Sequence, residues 1–321
     1  FYQMQMKSIL KKHYKNVQDP LYGQIRLENY IVQFIDTPQF QRLRQLRQNA
    51  NAVMVYPSAT HTRFEHCIGV YFLSCRMLEQ LQRQLADLDD PFFESEQYIH
   101  AEKLVKIAAL LHDIGHGPYS HLFEEVLRRQ NIKFNNEQIS HEFIGCQIVK
   151  KLMTSFGYSQ EDILAVQSLI LGNQIAQFPF SKYQFLQEIV SNSICSLDVD
   201  KLDYLVRDAN AVSLPVTVAS ERIISNCYIY STNIKSEQDL DQIQNDKMQN
   251  EEQNKVYHIC YGANIQFEIQ QVFQARFGLH KLLYQHPKVI AVDQNVLEII
   301  FKANEVGIIN IKSAVEKLFG D

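Results

Sequence analysis

The amino-acid sequence predicts a mainly α-helical protein with a small antiparallel β portion. Apolar residues recur at three- and four-residue spacing through much of the chain, as they do at residues 64–78, which is the periodicity of a helix with one buried face. Two short runs rich in aromatic and β-branched residues, 227–230 and 256–261, instead indicate strands. With 321 residues and 46% hydrophobic content, the chain can bury a large core in one or two domains.

Charge and cysteine content argue against several classes of protein. The formal net charge of -5 does not favour a general nucleic-acid binder. The six cysteines are scattered without a C-x-x-C pair, which indicates a reducing compartment, so we expect a nuclear or cytoplasmic location. No apolar run reaches membrane-spanning length. The sequence begins at Phe1 and stops inside a helix-like pattern, so we expect it to be a fragment.

The remaining elements are predicted from periodicity, caps and turn residues. In order, they are a turn-rich segment at 15–23, helices at 27–34 and 39–48, a β-like run at 53–56, a long helix from 63, helices at 102–112 and 121–130, a polar loop at 131–138, helices from 141 to 170 and from 183 to 205, and helices at 268–284 and 288–303. Thr62 and Glu65 form a capping box for the long helix, and Ser140 is an N-cap. The spacing of the arginines at 42, 44 and 47 predicts a solvated basic face.

A polar stretch divides the chain. Residues 231–255, between the two predicted strands, are almost entirely polar and cannot bury much apolar surface, so we predict a disordered insertion there. We therefore predict a core domain at 15–225, a β-hairpin with its insertion at 226–262, and a helical continuation at 263–321.

At residues 110–118, an apolar helix ends in three side chains that can bind a metal. His112, Asp113 and His116 follow the apolar run and precede Gly117-Pro118. A buried His-Asp pair is costly unless a partner compensates it, and a metal cation is the usual partner of imidazole and carboxylate groups. The alternative is a polar helix cap, in which His116 faces the negative end of the helix dipole.

A second stretch, residues 198–208, places several acids on one helical face. Asp200, Asp203, Tyr204, Arg207 and Asp208 share that face beside an apolar stripe. The preceding segment is strongly apolar, so we expect a buried helix, in which acids require a cation or an arginine. An ordinary amphipathic surface helix is the alternative.

Histidines and carboxylates from three segments together make a candidate metal site. They are His66, His112, Asp113 and Asp200. On its own, His66 would more simply be a hydrogen-bonded core histidine, and only its partners elsewhere favour a ligand. Two imidazoles and two carboxylates suit Mn, Fe, Zn or Mg with open water positions, and the set does not choose between these metals.

The ordered pattern H…HD…D on helices resembles the HD-domain phosphohydrolase superfamily and implies its helical fold. Longer motifs look like the SAM-and-HD-domain (SAMHD) deoxynucleoside triphosphate triphosphohydrolases, without a visible SAM domain. These motifs are DTPQFQRLR at 36–44, RFEH at 63–66, HDIGHGPYSH at 112–121 and DVDKLDY at 198–204. The resemblance covers roughly residues 15–230 and 257–300.

This resemblance implies metal-dependent hydrolysis of dNTPs to a deoxynucleoside and inorganic triphosphate, with the metal at the α-phosphate. The positions that match the family's proton-donating group are His116, His121 and His141, with Glu142 behind them. The positions that match substrate contacts are Arg63, Lys201 and Arg276 for phosphates, and Gln48, Asn49, Tyr204, Asp208, His280 and Tyr284 around the sugar, where Gln48 matches a residue that reads the 3′ hydroxyl. Asn49 stands where the family has a leucine that crowds the ribose 2′ carbon, so we expect weaker discrimination against ribonucleotides. The alternative is that Asn49 caps the neighbouring helix and does not face the sugar.

The family also binds guanine nucleotides at a regulatory site between subunits. The matching positions are Lys15, Asp36, Gln41 and Arg44, whereas Asn16 and Gln18 replace the family's Val and Asn. The resemblance thus implies GTP or dGTP as a regulator and a homo-oligomer, either a dimer or a tetramer. We expect the segments that complete these sites in the family to lie outside this sequence.

Two other functions stay open on the sequence. The chain could be a catalytically idle HD scaffold in a larger assembly, but every metal and acid position is retained, and buried charges without a role are costly. It could also be another HD phosphohydrolase, acting on a nucleoside monophosphate or a cyclic dinucleotide. The basic set Arg63, Lys201 and Arg276 favours a triphosphate.

Overall fold

The computed structural model describes residues 14–85, 88, 90–134, 137–172, 181–233 and 255–319. Within these residues the protein is mainly α-helical with three two-stranded antiparallel sheets, which confirms the predicted fold class. The helices are α1 Asn29–Ile35, α2 Pro38–Gln41, α3 Arg63–Gln82, α4 Glu96–Leu111, α5 His121–Arg129, α6 His141–Ser155, α7 Gln160–Leu171, α8 Phe185–Val190, α9 Val199–Val212, α10 Ser220–Ile224, α11 Gln266–Leu279, α12 Pro287–Glu305 and α13 Ile311–Phe319. The strands are β1 Tyr14–Asp19, β2 Gly23–Glu28, β3 Lys133–Phe134, β4 Glu137–Gln138, β5 Cys227–Asn233 and β6 Lys255–Tyr261.

Helix α4 is the centre of the core. It packs against α3 on one side and against α7 and α8 on others, and α3 also packs against α9. Leu110 and Leu111, at the end of α4, are completely buried. Burial of side chains of this size stabilises the fold by about 1.5–3 kcal/mol each. His112 and Asp113 therefore follow directly on a completely buried end of this helix.

The N-terminal segment forms a β-hairpin, where we predicted only a turn-rich segment. Strand β1 pairs with β2 so that Tyr14 lies opposite Glu28. Ile25 and Leu27 face the core and their neighbours along β2 do not, which is the two-residue period of a strand. Asp19 stabilises the turn by accepting hydrogen bonds from two following backbone amides. The predicted helix at 27–34 accordingly starts later, at the beginning of α1.

Three predictions between residues 39 and 138 are wrong. The helix expected at 39–48 is interrupted, since α2 ends at Gln41 and a 3₁₀ turn then ends at Gln45. The run at 53–56, which we predicted to be β-like, is not a strand, and its first two residues belong to a 3₁₀ turn, Ala50–Met54. There the backbone amide of Gln48 bonds to the carbonyl of His61 at 3.0 Å, and this long-range pairing forces the chain to turn back. The polar loop at 131–138 contains the short hairpin β3–β4.

Caps fix the first turns of the helices that carry the predicted site. Thr62 and Glu65 form the capping box of α3, as predicted. Ser140 caps α6 by accepting the amide hydrogen bond of Phe143 at 3.2 Å, also as predicted. The helical region predicted from 183 to 205 contains α8 and the first part of α9, and Asp198 caps α9.

The C-terminal part follows the predicted order. Strands β5 and β6 pair with Cys227 opposite Tyr261 and Asn233 opposite Lys255. Residues 231–233 and 255, predicted to belong to the polar insertion, are thus strand residues, and positions 234–254 lie outside the described residues. Helix α11 continues into a π turn, His280–Tyr284, which leads to α12. The division into three domains stays a prediction.

None of the helices in the described ranges combines the length and the apolar character that a membrane-spanning segment needs.

Candidate active site

The ends of three core helices bring His66, His112 and Asp200 together. His66 lies in the first turn of α3, His112 directly follows α4, and Asp200 lies in the first turn of α9. The Nε2 atoms of His66 and His112 are 3.1 Å apart. Oδ1 of Asp200 lies 3.0 Å from the first of these nitrogens and 3.5 Å from the second. The three side chains therefore point their ligand atoms at one place.

Each of the two imidazoles is oriented through its other nitrogen. Nδ1 of His66 lies 2.8 Å from Oδ2 of Asp203, and Nδ1 of His112 lies 2.9 Å from the carbonyl oxygen of Ala109. Both partners only accept, so each Nδ1 carries a hydrogen and each Nε2 can offer a lone pair to a cation. Burial opposes a charged His66, yet hydrogen bonds to Asp200 and Asp203 raise the pKa of His66 to about 10. The surroundings thus favour positive charge here, and the donor set fits a divalent metal.

Asp203 is the centre of a buried network behind His66. Arg207 donates to both of its carboxylate oxygens at 2.9 Å, and the Tyr22 hydroxyl donates at 2.8 Å. Burial opposes ionisation of Asp203, but Arg207 and His66 outweigh it and lower the pKa of this carboxyl. Gly69 leaves room for the network, because a Cβ there would overlap the Asp203 carboxylate and the Arg207 guanidinium. The sequence placed Asp203 on this helical face without identifying it as the partner of His66, which lies 137 residues away.

Asp113, the fourth predicted ligand, lies next to this group and is shared with an arginine. Its carboxylate oxygens are 3.6 Å from Nε2 of His112 and 3.7 Å from Nε2 of His66. Arg63 forms a buried ion pair with Asp113, and its Nε donates to Oγ of Ser120 at 2.9 Å. Burial opposes ionisation of Asp113, but Arg63 and the neighbouring histidines hold its pKa well below the usual range.

A second group of histidines surrounds Glu124. The rings of His116 and His141 are stacked with centroids 3.8 Å apart, and His121 meets both rings edge-on. Oε1 of Glu124 lies 2.6 Å from Nδ1 of His141 and 3.3 Å from Nδ1 of His121. The predicted Glu142 lies 3.3 Å from Nε2 of His141. The sequence analysis missed Glu124, although its position three residues after His121 on an amphipathic helix was a usable signal.

Two histidines of the second group, His116 and His141, have pKa values that are shifted in opposite directions. Burial opposes a charged His141, yet Glu124 raises the pKa of this histidine above its usual value. Burial likewise opposes ionisation of Glu124, but its bonds to His121 and His141 lower its pKa. His116 behaves in the opposite way, because burial and then the charge of Arg63 hold its pKa well below the usual range. The group therefore contains one histidine that readily holds a proton beside one that does not.

Two residues position the loop that carries His116. Gly115 allows helix α6 to approach, because a Cβ there would overlap the backbone of His141 and Gly145. Arg42 donates to the carbonyl oxygen of His116 at 2.6 Å and also to that of Ile114. The predicted solvated basic face is therefore wrong for Arg42, which is bound to the loop.

Both histidine groups open into one cavity of about 650 Å³. A cavity of this size suits a nucleotide. The predicted residues in its wall are Gln48, Asn49, Arg63, His66, Asp113, His116, His121, His141, Glu142, Asp200, Tyr204, Asp208, Arg276, His280 and Tyr284. The predicted residues outside the wall are His112, which faces His66, and Lys201, whose Nζ lies 3.6 Å from Oδ1 of Asp198.

The four residues predicted for a regulatory nucleotide lie away from this cavity. Nζ of Lys15 is 3.3 Å from Oδ2 of Asp36, and both side chains are more than half exposed. Arg44 donates to Oε1 of Gln41 at 2.8 Å, and its guanidinium lies over the ring of Phe64. The fold therefore brings these residues together in pairs on the surface.

Comparison with known proteins agrees with this geometry. The HD domain matches residues 63–208, a range that begins at Arg63 on α3 and ends at Asp208 on α9. Over these residues the chain is similar to the HD domain.

The chain is also similar over most of its length to the deoxynucleoside triphosphate triphosphohydrolases named SAMHD1. It is 32% identical to the Mus musculus protein, over 90% of this chain and 44% of that protein. It is 31% identical to the Homo sapiens protein, over 91% of this chain and 45% of that protein. It is 30% identical to the Dictyostelium discoideum homolog, over 86% of this chain and 47% of that protein. The chain thus spans less than half the length of these relatives.

Proposed function

We propose that the chain hydrolyses deoxynucleoside triphosphates in a metal-dependent reaction that releases a deoxynucleoside and inorganic triphosphate. The observation that carries this proposal is that the two histidine groups open into the same nucleotide-sized cavity. The relatives named above support the substrate and the reaction, because their names state this activity.

The side chains of His66, His112 and Asp200 would hold the metal, with Asp113 as a fourth ligand. A divalent cation bound there supplies charge neutralisation at the α-phosphate and acidifies a coordinated water. Imidazole and carboxylate ligands suit Mn, Fe, Zn and Mg, so we propose the site without choosing between these metals. Asp203 would keep the His66 ring in place during turnover through its bond to Nδ1.

The second histidine group would supply the proton of the reaction. A water oxygen bonds to the α-phosphorus, the bond between that phosphorus and the 5′ oxygen breaks, and the 5′ oxygen takes up a proton. We assign this proton to the group of His116, His121 and His141. Glu124 supports the role because it raises the pKa of His141 and so keeps a proton available near neutral pH. Glu142 contacts the same imidazole from its other side.

Basic residues would balance the charge of the triphosphate. Arg63 and Arg276 lie in the cavity wall and suit phosphate oxygens through their planar guanidinium groups. Lys201 would have to turn away from Asp198 to join them. The sugar and base would contact the remaining predicted wall residues, which are Gln48, Asn49, Tyr204, Asp208, His280 and Tyr284.

The direct test incubates the protein with single dNTPs and with Mn, Fe, Zn or Mg in turn, and follows the products by phosphorus NMR. The proposal expects inorganic triphosphate and no deoxynucleoside monophosphate. Release of pyrophosphate or phosphate, or hydrolysis only of monophosphates or cyclic dinucleotides, would instead identify another HD phosphohydrolase. No product with any metal would favour the idle scaffold.

Regulation is a further part of the proposal. We propose that GTP or dGTP binds the surface of Lys15, Asp36, Gln41 and Arg44 and favours a homodimer or homotetramer. The exposed ion pair of Lys15 with Asp36 supports it, since exposed polar groups can exchange partners at little cost. Light scattering with and without GTP, on the wild type and on Asp36→Ala, would test it. An oligomeric state that GTP does not change contradicts this part alone.

A further inference from the structure

His61 forms a hydrogen bond with Asp208, a polar residue of the cavity wall, although the sequence analysis gave His61 no role. Its side chain is buried, and its Nε2 lies 2.7 Å from Oδ1 of Asp208. The other oxygen of the same carboxylate accepts a hydrogen bond from the Tyr284 hydroxyl at 2.7 Å. Donors from two separate segments, the loop before α3 and the π turn after α11, thus fix the Asp208 carboxylate in one orientation.

The second nitrogen of His61 indicates which form of the ring is present. Nδ1 of His61 is buried and has no hydrogen-bond partner among the described residues. A carboxylate only accepts, so the ring hydrogen lies on Nε2, facing Asp208. A hydrogen on Nδ1 would be buried without an acceptor, which is costly. His61 is therefore a fixed donor toward Asp208.

Asp208 keeps accepting capacity that faces the cavity. Its side chain is 2% exposed, yet the residue forms part of the cavity wall. Each carboxylate oxygen can accept more than one hydrogen bond, and His61 and Tyr284 provide one donor to each oxygen. Among the described residues, neither a lysine nor an arginine forms an ion pair with Asp208. A carboxylate that has no lysine or arginine partner and can still accept hydrogen bonds suits a neutral donor, such as a hydroxyl group of a ligand.

A deoxynucleoside triphosphate offers one such group. Its 5′ oxygen carries the phosphates and its 2′ carbon has no oxygen, so the 3′ hydroxyl is the only hydroxyl of the sugar. The family resemblance already implies that Asp208 contacts the sugar; we propose that His61 is a positioning residue, which holds this carboxylate in the orientation that accepts from the 3′ hydroxyl. The proposal rests on the proposed function, because it takes a deoxynucleoside triphosphate as the ligand. Nδ2 of Asn49 lies 3.4 Å from the same Nε2 of His61, and since both atoms carry hydrogens in this form of the ring, this is a contact and not a second hydrogen bond.

The test compares dGTP with 2′,3′-dideoxyguanosine triphosphate, which lacks the 3′ hydroxyl. Dissociation constants are measured by calorimetry in the presence of a chelator, so that no turnover occurs, for the wild type, His61→Leu and His61→Gln. The glutamine amide can donate to Asp208 and leucine cannot. We expect His61→Leu to weaken dGTP binding about tenfold, which is the loss of one hydrogen bond to a charged group. Binding of the dideoxy nucleotide should change less than about twofold, and His61→Gln should restore most of the dGTP affinity.

Several outcomes would overturn the role of His61. An equal loss for both nucleotides would show a merely structural residue, and so would a wild type that binds both equally or binds neither. If His61→Leu does not fold, as judged by its melting transition, His61→Asn makes the same comparison, because its shorter amide does not reach the Nε2 position. Failure of the proposed function looks different: a wild type that binds dGTP more tightly than the dideoxy nucleotide but releases no triphosphate with any metal contradicts the function and leaves the role of His61 standing.

Discussion

The two histidine groups in the cavity use the same side chain in different ways. In the group of His66, His112 and Asp200, each imidazole is fixed by a buried acceptor at Nδ1, and His66 is 1% exposed. In the group around Glu124, the imidazoles of His116 and His141 are stacked, and the side chain of His121 is 71% exposed. In each group the ligand atoms lie within 4.8 Å of one another, but the second has a carboxylate that can share a proton with either of two rings.

This difference separates two tasks of the proposed reaction. A metal requires ligands that do not move, and the hydrogen bonds that the two imidazoles donate to Asp203 and to the carbonyl of Ala109 provide that. Proton transfer requires a group whose pKa lies near the working pH and which can exchange protons with the cavity. The contrast predicts that substitutions in the first group remove metal, while substitutions in the second group slow turnover without removing it.

The largest effect is expected for Asp200→Ala. Loss of one carboxylate leaves the cation under-coordinated, so we expect the metal to be absent and dNTP hydrolysis to fall by more than about a hundredfold in a folded helical protein. Elemental analysis and circular dichroism measure the two properties. Glu305→Ala, which removes an exposed carboxylate on α12, is the control and should change neither. Unchanged metal occupancy in Asp200→Ala would show that this residue is not a ligand.

Gly69→Ala tests the network behind His66 and should have the second largest effect. In Gly69→Ala, the added Cβ overlaps Asp203 and Arg207, so we expect a free energy of unfolding lower by about 1–3 kcal/mol. Metal affinity should also fall, by roughly 10–100-fold, because Asp203 orients His66. Gly145→Ala is the matched control, since its Cβ would be 3.5 Å from the nearest atom, an ordinary contact. Equal stability of the two variants would contradict the importance of this network.

Glu124→Gln should act on the second group alone. Removal of the carboxylate lowers the pKa of His141, so less of the acid form is present at neutral pH, and we expect kcat to fall roughly a hundredfold. The raised pKa keeps the wild-type histidine protonated to higher pH, so the alkaline limb of the kcat profile should move to lower pH in the variant. Metal content should stay at the wild-type level. Glu79→Gln, an exposed carboxylate on α3, should leave the profile unchanged.

The smallest effect concerns the sugar. Asn49 lines the cavity, and its side chain makes no capping hydrogen bond to the 3₁₀ turn that follows. Its Nδ2 lies against Nε2 of His61, and its amide oxygen can accept from a 2′ hydroxyl. We expect Asn49→Leu to increase the preference for dGTP over GTP about tenfold, or 1–2 kcal/mol. Competition between the two nucleotides measures it. Equal rejection of GTP by both proteins would make Asn49 a structural residue.

The parts of the fold and the site that could be predicted depend on local sequence. The capping box of Thr62 and Glu65 and the H…HD…D pattern are short-range signals, and they located α3 and the candidate ligands. Partners far apart in the sequence were missed, as with Asp203 for His66 and His61 for Asp208, which are separated by 137 and 147 residues. The prediction of a β-like run at 53–56 was wrong. Its apolar and aromatic residues favour a strand, but the bond between the Gln48 amide and the His61 carbonyl turns the chain back at this point.

The most direct test of the separation between the two groups measures metal content and triphosphate release in the same samples of the wild type, Asp200→Ala and Glu124→Gln. We expect about one equivalent of metal per chain in the wild type and in Glu124→Gln, and none in Asp200→Ala. Triphosphate should form rapidly only in the wild type. Loss of the metal from Glu124→Gln together with its activity, or retention of the metal by Asp200→Ala, would contradict the assignment of one group to the metal and the other to the proton.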